Sequence, residues 1–379
     1  MTTTTTKDLK IIVLRSKLLE ALSSVQTSVG GDQASLPILK NVLIRVTDGR
    51  IVFTATDLDL VAEHTVSGKV SKGGEFTVPF HVFYEIVKNL MSERITLERI
   101  DNALHIVTDN YEAQVYGQGA KDFPIVPSID ASHVALTFDV GVFREALSQV
   151  AFATQYSDIR PEISGVYVHS DDGGLALVAT DSFRLAKRVL SSKSFSTTSQ
   201  KDISFTLPIR TISDFSRIFT QESGELKLLV DSGQALFETE SRRVISRLVE
   251  GGFPDYTQII PQEFRSEAKV DGKELFHAVK IASSLSGKTN DMVIEVGGNK
   301  KFLEIRSSES ALGENVYKIP AKVSGDAFSV IFNWRYVLDG LKAYEGSEVG
   351  IQVGGADKPA ALRSPSHPHL LYIVMPIKG

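Results

Sequence analysis

Three stripes of charge recur along this sequence at helical spacing: His81-Glu85-Lys88, Arg210-Asp214-Arg217 and Arg335-Asp339-Lys342. Residues at i, i+4 and i+7 lie above one another on one face of a helix, so each stripe sets two basic groups around one carboxylate. Lys273, His277 and Lys280 repeat the spacing with three basic groups, while Lys17 and Arg144 add single charges on further segments of helical pattern. A lone basic-acid-basic stripe is ordinarily a solvated face whose ion pairs contribute about 0 to 1 kcal/mol. Independent solvated faces have no reason to keep one frame three times. Cations in such rows suit a ligand with regularly spaced negative charge, above all a phosphate backbone.

Other chemistry-bearing groups lead nowhere. Ser286-Gly287-Lys288-Thr289 echoes the end of a phosphate-binding loop, but the upstream glycine position holds Ala282. Asp57-Leu58-Asp59 could pair carboxylates on a metal, yet the matching Thr180-Asp181 has no second carboxylate after it, which favours a turn-closing aspartate. His367 and His369 sit in a proline loop without further ligands. There is no Gly-x-Ser-x-Gly elbow, and no nucleophile, base and orienting group are concentrated anywhere, so no enzyme, metal or cofactor is expected.

The elements that must carry the stripes are themselves repeated. One set of helix-shaped segments reads IIVLRSKLLEALSSV, LTFDVGVFREALSQV and AKVDGKELFHAVKIA, from Ile11, Leu136 and Ala268; the other reads FTVPFHVFYEIVKNL, FTLPIRTISDFSRIF and FSVIFNWRYVLDGLK, from Phe76, Phe205 and Phe328. The interval is roughly sixty residues, so three units of about 125 residues each hold two helices. On the second helices Phe83, Ile86, Val87 and Leu90, then Ile212, Phe215 and Phe219, then Val337, Leu338 and Leu341 form the apolar faces, which should pack on a sheet and turn the charged stripes away from it. Around the helices, period-two runs joined at Asp48-Gly49, Asp171-Asp172-Gly173-Gly174 and Gly297-Gly298-Asn299 read as antiparallel hairpins. The expected class is α+β, with helices segregated to one side of antiparallel sheets.

Composition agrees. The chain has 379 residues, 42% hydrophobic content and no cysteine, which fits a soluble protein of a reducing compartment with several independent cores. A net charge of -5 argues against a surface that is basic all round, but not against one basic face. The start MTTTTTKDLK lacks a signal peptide's apolar core, and no apolar run approaches about 20 residues, so the expected location is cytoplasmic. The threonine run Thr2 to Thr6 reads as a frayed end. Gly119 to His133 and Glu250 to Phe264 each carry Phe-Pro followed by another proline and read as stiff connectors.

Across its whole length the chain resembles the bacterial DNA polymerase III beta subunit family of sliding clamps. The stretches that carry the resemblance are SLPILKNVLI (Ser35 to Ile44), TATDLDL (Thr54 to Leu60), LALVATDSFRLA (Leu175 to Ala186), RLVEGGFPDYTQIIP (Arg247 to Pro261), FNWRYVLDGL (Phe332 to Leu341) and the terminal LYIVMPIKG. The resemblance implies a DNA-clamp fold of three domains, 1–125, 126–258 and 259–379, each with two helices packed on antiparallel sheets. It implies a head-to-tail homodimer closed into a ring around duplex DNA. The basic positions on the helices would then face the DNA without sequence preference. The alternative that the residues leave open is a repeat-built protein-binding scaffold that does not encircle DNA.

The same resemblance implies a pocket for short peptides from the replicative polymerase, the clamp loader and repair proteins. Carried over by position, its residues are Ile163, Thr180, Ser182, Phe183, Arg184, Leu185, Pro254, Ile259, Tyr336, Val374, Met375 and Pro376. The dimer contact would join the region of Val115 to that of Leu285. Three departures stand out: Ser182-Phe183 where Gly-His is common, Pro376-Ile377-Lys378-Gly379 where an arginine and a terminal leucine are usual, and Gly30-Gly31-Asp32-Gln33 in a loop that often carries an arginine to DNA.

Overall fold

The computed structural model describes residues 8–32, 34–129, 134–198, 202–344 and 346–378. The threonine run, Gln33, the end of the first connector at 130–133 and Gly379 lie outside the described residues. The chain separates into two compact units: Met1–Gly141 with Ser196–Lys201 and Ser213–Leu248, and Val142–Phe195 with Asp202–Ile212 and Val249–Gly379. Each holds one nine-stranded antiparallel sheet and one smaller sheet, of five strands in the first unit and four in the second. Among the described residues no helix is long and apolar enough to cross a membrane.

Each nine-stranded sheet is continuous across a repeat boundary. In the first unit, strand Leu60–Val66 of the first repeat pairs with Arg242–Arg247 of the second, with Leu60 opposite Ser246 and His64 opposite Arg242. In the second unit, Arg184–Ser191 pairs with Leu370–Val374 of the third repeat, with Arg184 opposite Val374. These two strand pairs are the seams of the chain.

Six helices match the six repeated segments: α1 (Arg15–Val25), α2 (Phe80–Asn89), α3 (Val140–Ala151), α4 (Ile209–Ile218), α5 (Gly272–Ala282) and α6 (Trp334–Lys342). Leu18, Leu22 and Val25 of α1, Phe83 and Val87 of α2, and Leu275 and Val279 of α5 are fully buried, as the periodicity requires. Ile86 and Leu338, expected on the packed faces, are only half-buried. Asp214 departs in the other sense: it is 5% exposed, because the buried arc of α4 is wide and takes in Thr211, Ile212, Phe215 and Ile218. The stripe on α4 is therefore not wholly turned to solvent.

Local chemistry repeats with the fold. The first hairpin turns through Asp48 and Gly49, both at positive φ (51° and 77°), as a type I′ turn demands. Asp57 Oδ1 accepts from the N–H groups of Asp59 and Leu60, and Asp181 Oδ1 does the same for Phe183 and Arg184. Thr56 and Thr180 each donate to the carbonyl four residues on. Asp57 is thus a turn-closing residue. The connectors are more than spacers: Phe123 packs on Ile38 and Leu43, Val126 and Ile129 on Val61 and Ile245, and Phe253, Ile260 and Phe264 on the cluster around Leu185 and Ile373. Each is an apolar strap over its seam.

Beneath the first seam lies a charged knot. Arg242 is 5% exposed. It donates to Glu20 of α1 at 2.9 Å, to Glu222 at 2.7 Å, to the Ile218 carbonyl at 2.6 Å and to His64 Nδ1 at 3.4 Å. His64 Nδ1 accepts from Arg242 Nε and lies 2.8 Å from Ser24 Oγ. Burial, reinforced by Arg242, pushes His64 down to about 4. The unfolded imidazole takes its proton near pH 6.5 and the folded one only near 4, so stability is full above 6.5 and falls as the pH drops through that window. The fall reaches about 3 kcal/mol at its limit. Thermal melts from pH 7.5 to 4.5 should show the wild type losing stability more steeply than His64→Gln; parallel curves would contradict the buried neutral histidine.

Candidate functional site

The second seam gathers most of the residues expected to form a pocket. Arg184 leaves the seam strand with only 10% of its side chain exposed and is held by Asp181 at 2.9 Å and by Asp339 of α6 at 2.8 Å. Its guanidinium lies over the Tyr336 ring at 4.6 Å and 5.9 Å from that of Phe152. Burial alone would raise the Asp339 pKa, but hydrogen bonds from Lys342 and Arg184 outweigh it and hold the carboxyl below its usual range. Gly340 lets α6 approach the sheet, since a Cβ there would fall 2.4 Å from the Tyr372 ring. Tyr372 in turn donates to the Tyr336 carbonyl at 2.8 Å and fixes the helix turn that carries Tyr336.

Above this base lies an apolar surface. Phe183 is 58% exposed and its ring is nearly parallel to that of Tyr336, with centroids 6.3 Å apart. Ile259 is 37% exposed, and Pro254, Met375 and Pro376 are half-buried. The Met375 N–H donates to the Phe183 carbonyl at 2.8 Å, extending the seam past its last strand pair. Ile163, Thr180, Leu185 and Val374 are buried. Leu185 faces the strap, in one cluster with Tyr256 and Ile373. Ser182 has φ 78°, a region where glycine is at ease and serine uncommon. Its hydroxyl accepts from Arg160 at 2.9 Å.

The basic positions are largely open to a ligand. Lys17, His81, Lys88, Arg210, Arg217, Lys273, His277, Lys280, Arg335 and Lys342 are exposed, and Arg144 is half-buried. Several are partly neutralised by their own helix: Lys17 by Glu20 at 3.3 Å, Lys88 by Glu85 at 3.4 Å and Lys342 by Asp339 at 2.9 Å. The loop at Asp32 holds an exposed pair with Lys40 at 3.5 Å. Val115 is buried in strand Glu112–Tyr116, at one edge of the five-stranded sheet, and Leu285 is half-buried in the turn after α5.

Residues that set these sites escape sequence reasoning. The Arg242 knot joins positions 222 residues apart, and Phe152 and Arg160 lie far in sequence from the seam residues they touch. Tyr116 and Val316, 76% and 48% exposed on sheet edges, carry a signal that is readable: apolar side chains in strand-like runs with no partner strand. Ser286 to Thr289 follows the C-terminal end of α5, and His367 lies against Ser347 and Tyr344. Among the described residues no group of three potential ligands could hold a metal.

Three family models cover almost the whole chain: the DNA polymerase III beta subunit N-terminal domain over residues 9–127, its central domain over 137–255 and its C-terminal domain over 257–378. The beta sliding clamp of Synechococcus elongatus is 28% identical over 98% of this chain and 99% of its own. That of Bacillus subtilis is 26% identical over 98% and 100%. The crystal structure of the Bacillus subtilis DNA polymerase sliding clamp superposes with a TM-score of 0.92 at 26% identity, over 98% of this chain and 100% of that one. Six helices on antiparallel sheets form the three-domain clamp fold, and the chain belongs to the DNA polymerase III beta subunit family.

Proposed function

We propose that two copies of this chain close head to tail into a ring that encircles duplex DNA, slides on it and tethers the replicative polymerase and other partners. The reading is of a cytoplasmic processivity factor rather than a catalyst, built from domains 1–125, 126–258 and 259–379.

One observation carries it. At both seams the last strand of a domain's first half joins the last strand of the next domain's second half. Two strands of those kinds remain at free edges: Gly313–Pro320 in the third domain and Glu112–Tyr116 in the first. Unpaired edges invite pairing, and exposed Val316 and Tyr116 would be covered by it. The hairpin registers make Gly313 the counterpart of Leu60 and Arg184, and Val115 that of Ser246 and Val374. On our reading Gly313 would pair with Val115 of the partner subunit by the same rule, and Leu285 lies in the turn packed by that edge.

The basic positions on the six helices supply nonspecific phosphate contacts, which give no register and so permit sliding. The second seam takes a peptide by an apolar anchor resting on Phe183, Tyr336, Ile259 and Met375, over the base fixed by Arg184.

Two measurements test the ring. The chain has no cysteine, so a disulfide can form only between introduced residues. Glu314→Cys with Gln114→Cys, which the register sets opposite one another, should yield a covalent species of twice the 41.4 kDa chain mass. No cross-link, with sedimentation as a monomer at micromolar concentration, would contradict the closure. Reversal of Arg210, Arg217, Lys273 and Lys280 to glutamate should weaken DNA retention and flatten its log-log salt dependence by about 0.9 for each phosphate that is no longer neutralised. An unchanged slope would remove these helices from the DNA-facing side.

A further inference from the structure

We propose that Tyr256 is a positioning residue of the second-seam pocket: its buried hydroxyl locks the connector onto the seam sheet and so sets where Pro254 and Ile259 meet a peptide. The inference rests on the peptide-pocket reading of the proposed function and adds how that pocket is kept in its binding shape.

The hydroxyl sits in a chain of hydrogen bonds that runs one way. His169 Nδ1 lies 2.6 Å from the Ser170 carbonyl, which can only accept, so that nitrogen carries a proton. In the neutral ring Nε2 then accepts from the Tyr256 hydroxyl, 2.8 Å away. On its other side stands Lys187, whose ammonium is 5.6 Å from the centre of the Tyr256 ring, hydrogen-bonds the same hydroxyl and pairs with Asp171 at 2.6 Å. Burial would lower the Lys187 pKa, but Asp171 and Tyr256 outweigh it and hold the ammonium charged. Burial raises the Tyr256 phenol, which keeps the proton that it donates. Tyr256 is 5% exposed, and a hydroxyl so buried is costly unless it is bonded.

From there the chain reaches the pocket within a few residues. Tyr256 opens the turn Thr257–Ile259, and the Ile259 N–H donates to its carbonyl at 3.1 Å. Asp255 stiffens that turn by accepting from the Thr257 N–H, the Thr257 hydroxyl and the Gln258 amide at 2.6 to 3.0 Å. Phe253 stacks on Tyr167 with centroids 4.8 Å apart and the rings within 6° of parallel. Pro254 is therefore pinned between two fixed points, and Ile259 rides on one of them. A pocket wall already in place spares a peptide the cost of ordering it.

The first seam shows a strap laid down without such a lock. Phe123-Pro124-Ile125-Val126 repeats Phe253-Pro254-Asp255-Tyr256, so Val126 stands where Tyr256 does and packs on Val61, Leu236 and Ile245. The hairpin registers put Arg45 in the place of His169 and Glu63 in that of Lys187. These turn elsewhere, Arg45 to Glu75 at 2.6 Å and Glu63 to Arg243 at 2.9 Å. Apolar packing suffices to close a seam. The hydroxyl, the imidazole and the ammonium are added at the seam whose connector lends Pro254 and Ile259 to a pocket.

The test titrates a fluorescein-labelled octapeptide ending in Leu-Phe by anisotropy into the full chain, and reads hydrogen–deuterium exchange of the free protein at the strap amides Ile259 and Ile260. Tyr256→Phe keeps the ring and removes only the hydroxyl. It should weaken the peptide about fivefold, the scale of one buried hydrogen bond, and speed exchange at both strap amides by a similar factor. Exchange in the seam strand at Leu185 and Lys187 should not change, which a general loss of stability would not allow. Lys187→Met should cost a similar factor, and the double variant no more than either alone, because both remove one contact. Wild-type affinity in Tyr256→Phe, unchanged strap exchange, exchange raised equally in the seam strand, or losses that multiply in the double variant would overturn the proposal. Met375→Ala is the control on the pocket itself and should weaken the peptide with or without Tyr256→Phe. If the wild type does not bind, or if Met375→Ala leaves binding unaffected, the pocket reading fails and the inference goes with it.

Discussion

Backbone pairing across repeat boundaries is the constraint on which the rest depends. A strand edge left open at each boundary would expose a row of unpaired N–H and C=O groups, so the repeats are joined by making the sheet continuous. Once Leu60 faces Ser246 and Arg184 faces Val374, the helices on either side are brought close enough for an arginine to be trapped beneath each join. Arg242 meets Glu20, Glu222 and His64; Arg184 meets Asp181, Asp339 and two aromatic rings. Such pairs are weak evidence of net stability, because desolvation cancels much of the attraction. Removal of one partner is another matter and costs about 3 to 5 kcal/mol, since a buried charge is then left alone. The knots therefore fix which helix sits under which strand.

The candidate sites follow from the same joins. Straps of connector close the far face of each seam, so Leu185 becomes core while Phe183, two residues after the Asp181 turn begins, is left standing at the surface. Where the first seam offers Asp59 and Arg247, an exposed pair 3.8 Å apart, the second offers Phe183 and Met375. One backbone frame thus carries a solvated ion pair at one seam and an apolar platform at the other.

Local features are legible in the sequence, and distant ones are not. The hairpins, the six helices, the apolar positions Phe83 and Val87, and the closing roles of Asp57 and Asp181 depend on neighbours a few residues away, and periodicity and turn chemistry reveal them. Asp214 defeats the pattern because spacing shows which residues share a face, but not how wide an arc the sheet covers. That Leu185 packs under a connector strap is equally invisible, because an apolar residue in a seam strand reads the same whatever covers it. Nothing in one sequence brings Glu20 to Arg242, or Arg160 to Ser182. The resemblance supplies the pocket by position, and the departure at Ser182-Phe183 becomes intelligible only with its backbone angle and its partner in view.

The central claim is topological: the protein stays on DNA by surrounding it rather than by holding it. The direct measurement is retention of loaded protein on closed circular duplex, followed by a single cut of the same circle. The account predicts long retention on the circle in salt that abolishes phosphate binding, and rapid escape once free ends appear. Equal retention on circular and linear DNA, or release from the circle at moderate salt, would contradict it.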